Sequence, residues 1–556
     1  MCIRVILLLA AALAAAPARA QTTARASVSS SGLQAQGHST EAAISANGRW
    51  IAFASDAGNL APGDTNGRSD VFVHDRQDGS TERVSLDENG AEFNGQSWAV
   101  ALSADGGTVA FELWVVPFPG YNATSLYVRD WQGAASQLVA SHGMGGEFEP
   151  ALSQDGRFLA YDFLEDVFNP SSSQVYVLDR QSGAAGVVSV SSAGVKGGNP
   201  SACPSISADG RYVAFLSHAT NLVPGDTNGF SDIFVHDRSS GATVLASVAY
   251  TGGPANGASR RPAISADGRW IAFESTAKNL VPGSGGGIFV HDRLSGTTVL
   301  ASLATSGALA NGESHWPSIS SDGTRVLFGS YATNLVPGDT NATADVFLRD
   351  LALGTTERAS VDSAGQEGDG QSWPLRGSLS ADGLRMGFHS QAKNLVAGDT
   401  NNAFDVFVHD LTLACPPLAT YCTAKANSLG CAPTIGASGL PELTGNDAFF
   451  VVAERVLSNK IGMLFWGLAP ASTPFAGGTL CIQQPLVRTP IQPSGGNPPP
   501  DDCSGTYSFH FSQAYMAANG LAPGTSVYAQ YWSRDPGFAP PQNIGLTDAL
   551  SFTTCP

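Results

Sequence analysis

One phrase recurs seven times in this chain: an apolar residue and Ser, a turn ending in Gly, then an apolar run, as in Ile44-Ser45-Ala46-Asn47-Gly48-Arg49-Trp50-Ile51-Ala52-Phe53. Its apolar residue falls at Ile44, Leu102, Leu152, Ile206, Ile264, Ile319 and Leu379, so the units are 50 to 60 residues long. Each unit carries strand signals and no helical period. Short strands repeating at roughly 40 to 50 residues define propeller blades, and the excess here goes into loops. In the first unit the pattern predicts strands at Ala43 to Ser45, Trp50 to Ser55, Val71 to Asp75 and Glu82 to Ser85, the four antiparallel strands of one blade.

The third strand recurs at Val71, Leu126, Val175, Ile233, Ile288, Val346 and Val406, which makes seven blades. The fourth strand is offset: Arg25 to Val28 precedes the first blade and nothing comparable follows Val406 to Asp410. The N-terminal strand is therefore expected to complete blade seven, closing a ring that would otherwise leave an open sheet edge. The first-to-second and third-to-fourth strand links are tight turns. The other two are long and emerge on one face, where binding residues usually sit.

The Ser-Ala-Asp-Gly-Arg-Trp-Ile-Ala-Phe phrase at 265 to 273, followed by Ile288-Phe289-Val290-His291-Asp292, resembles the TolB-like, WD-type (PD-type) propeller repeat of exported bacterial proteins. That resemblance implies a propeller. It does not choose a function, since the family includes partner-binding propellers and the propeller domains of prolyl oligopeptidase-like enzymes.

The first residues, Met1-Cys2-Ile3-Arg4, an apolar run from Val5 to Ala16 and Ala18-Arg19-Ala20, read as a secretory signal cleaved after Ala20. No later run is long enough to span a membrane as a helix. The formal charge is −18, and Arg4 and Arg19 fall within the signal, so the mature chain is more acidic still. Such a surface repels nucleic acid and anionic lipid. The expected organisation is signal 1–20, seven-bladed propeller 21–412, linker 413–420 and a C-terminal β domain 421–556, acting as a monomer outside the cytoplasm. Cys415, Cys422, Cys431, Cys481, Cys503 and Cys555 crowd the last segment and imply disulfides of unresolved pairing, with zinc as the rival reading. Strand patterns at Phe449 to Ala453, Gly462 to Gly467 and Val527 to Trp532 predict a small disulfide-stapled β-sandwich. Tyr421-Cys422-Thr423, Asn427 to Cys431 and Tyr531 to Gly537 resemble a C-terminal module common on exported bacterial proteins, which implies an accessory role in display, attachment or secretion.

Two sets of candidate site residues stand out. Four second-to-third strand loops carry Gly-Asp-Thr-Asn and a later Asp: Asp64, Asn66, Asp70; Asp226, Asn228, Asp232; Asp339, Asn341, Asp345; Asp399, Asn401, Asp405. Alternating oxygen side chains suit calcium, although the fold requires no cofactor, while Asx turns explain the same residues without a metal. The second set lies three positions before each apolar residue, where the units diverge: Glu41, Ala99, Glu149, Cys203, Arg261, Trp316 and Arg376, with Trp98, Glu147, Arg260, His315 and Trp373 beside them. Aromatics and charges at a channel mouth suit a protein, peptide or glycan ligand; the alternative is packing between blades.

The histidines His74, His236, His291 and His409 recur at one strand position, which argues for structure. No Gly-x-Ser-x-Gly elbow, His-Glu-x-x-His or phosphate-binding loop occurs. The sequence therefore points to an exported, non-catalytic binding or scaffold protein. An extracellular glycan hydrolase or lyase drawing carboxylates from Glu41, Glu147 and Glu149 is the alternative.

Overall fold

The computed structural model describes residues 20–118, 121–133, 136–143, 148–166, 168–169, 172–412, 418–443, 447–522 and 524–555. Residues 1–19 of the expected signal, Glu147 and Cys415 lie outside the described residues. Gln21–Leu411 forms one compact unit and the residues from Thr412 onward another.

The recurring phrase builds a turn from its own side chains. In the fifth unit Ser265 Oγ donates to Asp267 Oδ1 (2.6 Å) and accepts from the Trp270 N–H (2.9 Å), while Asp267 Oδ1 also accepts from the Arg269 N–H. Gly268 takes φ of 72°, and a Cβ there would lie 2.2 Å from Tyr212 Cδ2 of the preceding blade, so both backbone and neighbour require glycine. Arg269 then pairs with Asp292 at the end of the third strand (2.7 Å) and lies over the Trp270 ring. The same Arg–Asp pairing recurs at Arg49–Asp75, Arg157–Asp179, Arg211–Asp237 and Arg325–Asp350.

Seven four-stranded antiparallel sheets result, the first comprising Ser39–Ile44, Trp50–Ser55, Asp70–Asp75 and Thr81–Arg83. The seventh sheet takes its outer strand from the N-terminus. Ala20–Arg25 pairs with Asp405–Thr412, and the Ala26 N–H reaches the Val406 carbonyl at 2.8 Å. The strand begins earlier than the Arg25 to Val28 expected from sequence, because Val28 already turns back to bridge Gln34. One backbone hydrogen bond joins each blade's turn to the next: Ala46 to Ala104, Asp105 to Gln154, Gln154 to Ala208, Ala208 to Ala266, Ala266 to Ser321, Ser321 to Ala381, and Ala381 back to Ala46. The circuit is closed. Between blades, apolar side chains such as Val235, Ile264, Ile271 and Phe273 form shared buried clusters.

His74, His236 and His291 each bond a fourth-strand threonine through Nδ1 at 2.9 Å, and His409 bonds Thr23 at 2.8 Å. Their recurrence is structural, and in blade six Arg349 takes the same place against Thr356.

The C-terminal domain packs a six-stranded sheet against a three-stranded one around Val451, Trp466, Tyr507, Tyr531 and Phe552, with a small two-stranded ribbon beside them. Disulfides join Cys422 to Cys481 and Cys431 to Cys503. Two features depart from the sequence reading. Ala419–Tyr421 pairs with Ile544–Thr553, so residues expected in the linker belong to this domain. A short helix, Gln513–Ala518, capped by Ser512, stands within the domain that the sequence predicts as a β-sandwich.

Candidate functional site

The innermost strands follow the long loops, and five of them carry a β-bulge at the position where the units diverge. Glu41, Cys203, Arg261 and Trp316 occupy this bulge with φ of 61°, 57°, 51° and 56°. Non-glycine residues in the left-handed region are uncommon and costly, and they cluster where surrounding structure holds side chains for a task. The bulge turns these side chains out of the blade register. A cavity of about 560 Å³ occupies the channel, lined among others by Glu41, Trp98, Glu112, Glu149, Trp316 and Arg376.

A salt bridge crosses this channel. Arg376 of blade seven reaches Glu149 of blade three at 2.8 Å and donates to the Pro204 carbonyl of blade four at 3.2 Å. Blades three and four lie opposite blade seven in a seven-membered ring, so the guanidinium spans the opening. Glu149 keeps 35% of its side-chain surface accessible and lines the cavity. Burial alone would push its carboxyl up; Arg376, the Cys203 thiol and Arg261 outweigh burial and hold it below the usual range. Burial, followed by the Glu149 charge, pushes Glu41 up, and Arg376 offsets only part of this. Glu41 has no hydrogen-bond or ion-pair partner among the described residues. The Cys203 thiol is pushed up to about 12, chiefly by burial, so it is protonated and a poor nucleophile at neutral pH. Behind Glu149, Asp162 accepts the Glu149 N–H at 2.8 Å, and burial together with the Glu149 charge raises it to about 7.

A second cluster sits between blades five and six. Glu274 pairs with Arg261 (2.9 Å) and His315 Nδ1 (3.3 Å), and the Arg261 guanidinium lies 3.6 Å from the Trp316 ring centroid. The hydrogen bond to Glu274 raises the His315 imidazole despite burial. In blade two, Trp98 Nε1 donates to Glu112, which also accepts the Phe148 N–H of the next blade.

Glu112, Asp162 and Glu274 are the site residues that reading the sequence missed. They occupy the same second-strand position, directly after Phe111, Tyr161 and Phe273, where other units carry Ala54, Leu216, Gly329 and His389. An acid inside an otherwise apolar strand was the available signal. Conversely, Trp373 is absent from the cavity wall: it packs on Gly329, Tyr331 and His315 between blades six and seven, so for this residue the packing alternative holds.

None of the Asp and Asn candidates of the Gly-Asp-Thr-Asn loops lines the cavity. Asp64, Asp70 and Glu92 converge within 4.8 Å, as do Asp339, Asp345 and Glu367. An arginine stands in each group, however: Arg83 lies 3.4 Å from Asp70 and 3.9 Å from Asp64, and Arg358 3.5 Å from Asp345 and 3.9 Å from Asp339. Arg25 meets Asp399 and Asp405 at 3.0 and 3.5 Å. In these three loops an arginine of the protein already stands as a cation beside the carboxylates that the sequence reading offered to calcium. Asn66, Asn228, Asn341 and Asn401 all donate Nδ2 to a backbone carbonyl and accept a backbone N–H two residues on, as Asx turns do.

No protein-family model and no curated protein sequence matches the chain. Among solved structures, similarity extends to a protein assigned as TolB from Agrobacterium tumefaciens (20% identity, 50% of this chain, 83% of that one, TM-score 0.33). It extends also to a puromycin hydrolase mutant complexed with PGG (13%, 75% and 59%, TM-score 0.42) and to a puromycin-hydrolyzing peptidase of Mycobacterium tuberculosis (13%, 67% and 61%, TM-score 0.35). Likeness at this level transfers neither ligand nor activity. The chain's own sheets define its class: a seven-bladed β-propeller, closed by its N-terminal strand, followed by a disulfide-stapled β domain.

Proposed function

We propose that this is an exported, non-catalytic binding protein that holds a segment of a protein, peptide or glycan partner in the mouth of the propeller channel. The observation that carries the reading is the ring of divergent residues itself. Trp98 and Trp316 offer flat faces, Glu41 offers an unpaired acceptor, and the Arg376–Glu149 bridge fixes charge across the opening. Tethered charges beside half-buried aromatics suit recognition, because aromatic and Arg side chains dominate binding energy where they sit in desolvated pockets. The charged groups around Arg376 and Glu274 are committed to one another, and the Cys203 thiol is protonated. Probing peptide and glycan arrays with the mature chain tests this reading: selective capture that Trp316→Ala weakens supports it, and turnover of a captured glycan refutes it.

A second reading rests on the opposite displacements of Glu41 and Glu149. Two carboxyls driven apart in this way can divide general-acid and general-base roles. A glycan hydrolase or lyase using them requires turnover that Glu41→Gln abolishes while leaving the fold and capture intact. The third carboxylate of this alternative, Glu147, lies outside the described residues.

A further inference from the structure

Across blades one, four, five, six and seven, loop carboxylates and a fourth-strand arginine are matched, with one exception. Blades one and six place Asp64 and Asp70, and Asp339 and Asp345, beside Arg83 and Arg358, which stand in register with Phe72 and Phe347. Blade seven matches Asp399 and Asp405 with Arg25. Blade five has neither: its loop reads Gly283-Ser284-Gly285-Gly286-Gly287, and Leu300 stands opposite Phe289. Blade four keeps both carboxylates, Asp226 and Asp232, but places Leu245 opposite Phe234, and Pro254 occupies the position of Glu92 and Glu367.

The two blade-four carboxylates are buried, at 6% and 0% exposure. Asp232 is satisfied by Ser247 Oγ and Asn228 Nδ2, both at 2.6 Å. Asp226 Oδ1 has no hydrogen-bond partner. Asp64 and Asp339 also leave one oxygen without a hydrogen bond, but the other oxygen of each carboxylate lies 3.9 Å from a guanidinium, a neighbour that Asp226 lacks. Burying an uncompensated carboxylate is costly, and a carboxylate in such a place either takes a proton or recruits a cation.

We infer that the Asp226–Asp232 pocket of blade four binds one exchangeable hard cation, of the calcium class, in the place that arginine fills in blades one, six and seven. Asp226 Oδ1 and Asp232 Oδ2 are the ligands the pocket offers, with water completing the oxygen shell such ions require.

The test is calcium titration of the chelator-treated full mature chain at pH 7.5, by calorimetry and by melting. One calcium per chain and a rise in Tm are expected, since a ligand bound only by the folded state stabilises it. Leu245→Arg should abolish the binding and raise the Tm of the chelator-treated protein, because the new guanidinium replaces the ion. Asp226→Asn should abolish binding as well, which keeps the test decisive if the arginine variant fails to fold. The inference is overturned by an absence of heat and melting change up to about 10 mM calcium, beyond the weakest extracellular calcium modules. It is equally overturned by binding that survives Asp226→Asn, or by a Tm that ignores calcium and rises only as pH falls, the mark of a shared proton.

Discussion

Asp162 shows most clearly what burial does to a single residue at this site. Its folded carboxyl titrates at about 7 because burial and Glu149 disfavour its charge. With an ordinary value in the unfolded chain, the folded state holds the extra proton between about pH 4 and 7. The contribution of Asp162 to stability is thus fully present below pH 4 and lost as pH rises towards 7. Asp162→Asn, which can still accept the Glu149 N–H, should flatten that part of the stability–pH profile measured by denaturant unfolding; an unchanged slope would contradict the assignment. Cys203 gives a second expectation: at pH 7.5 the native protein should react with iodoacetamide far more slowly than a free thiol, and Arg376→Ala should slow it further, because Arg376 favours the thiolate. These details lay beyond sequence reading. Position 203 was recognisable as divergent, but nothing about Glu, Cys, Arg or Trp announces a left-handed bulge, which glycine or asparagine would have signalled.

At the scale of the element, the turn phrase was legible because its chemistry is local. Ser, Asp or Asn, and Gly stand at offsets that close their own hydrogen bonds, and the strand after the turn is a nearly continuous buried run, as in Trp50–Ser55 and Trp270–Ser275. Gly268 adds a non-local demand, its contact with Tyr212, which no spacing within one unit could reveal. Gly268→Ala should therefore destabilise the protein by roughly 2 kcal/mol or more, combining a positive φ with a clash between blades. Urea unfolding reads this as a lower midpoint. Gly241, at φ of 75° but with nothing near its missing Cβ, should cost less on the same substitution. Equal losses at the two glycines would remove the packing component of the argument. The Gly-Asp-Thr-Asn loops were legible as oxygen-rich turns, whereas the arginine that neutralises three of them comes from a strand about twenty residues later, or for Asp399 and Asp405 from the other end of the propeller.

For the whole molecule, the strand count already required closure by the N-terminus, since seven third strands met seven fourth strands displaced by one. The closed circuit of turn-to-turn hydrogen bonds follows from that arithmetic. A chain beginning at Ser39 loses the outer strand of blade seven together with the Arg25 bridges. It should melt well below the chain beginning at Gln21, or fail to fold, and identical melting would contradict the closure. Closure in turn brings Arg376 of the last blade opposite Glu149, turning residues more than two hundred positions apart into one channel mouth. The central claim is that this mouth, and not the short-turn face, meets the partner. The most direct measurement compares the affinity of an array-selected ligand for the mature chain, the Trp98→Ala/Trp316→Ala double variant, and Arg211→Ala on the exposed short-turn face. The account predicts at least about a tenfold loss, or roughly 1.4 kcal/mol, for the channel variant and no change for Arg211→Ala. Full affinity in the channel variant with loss in Arg211→Ala would contradict it.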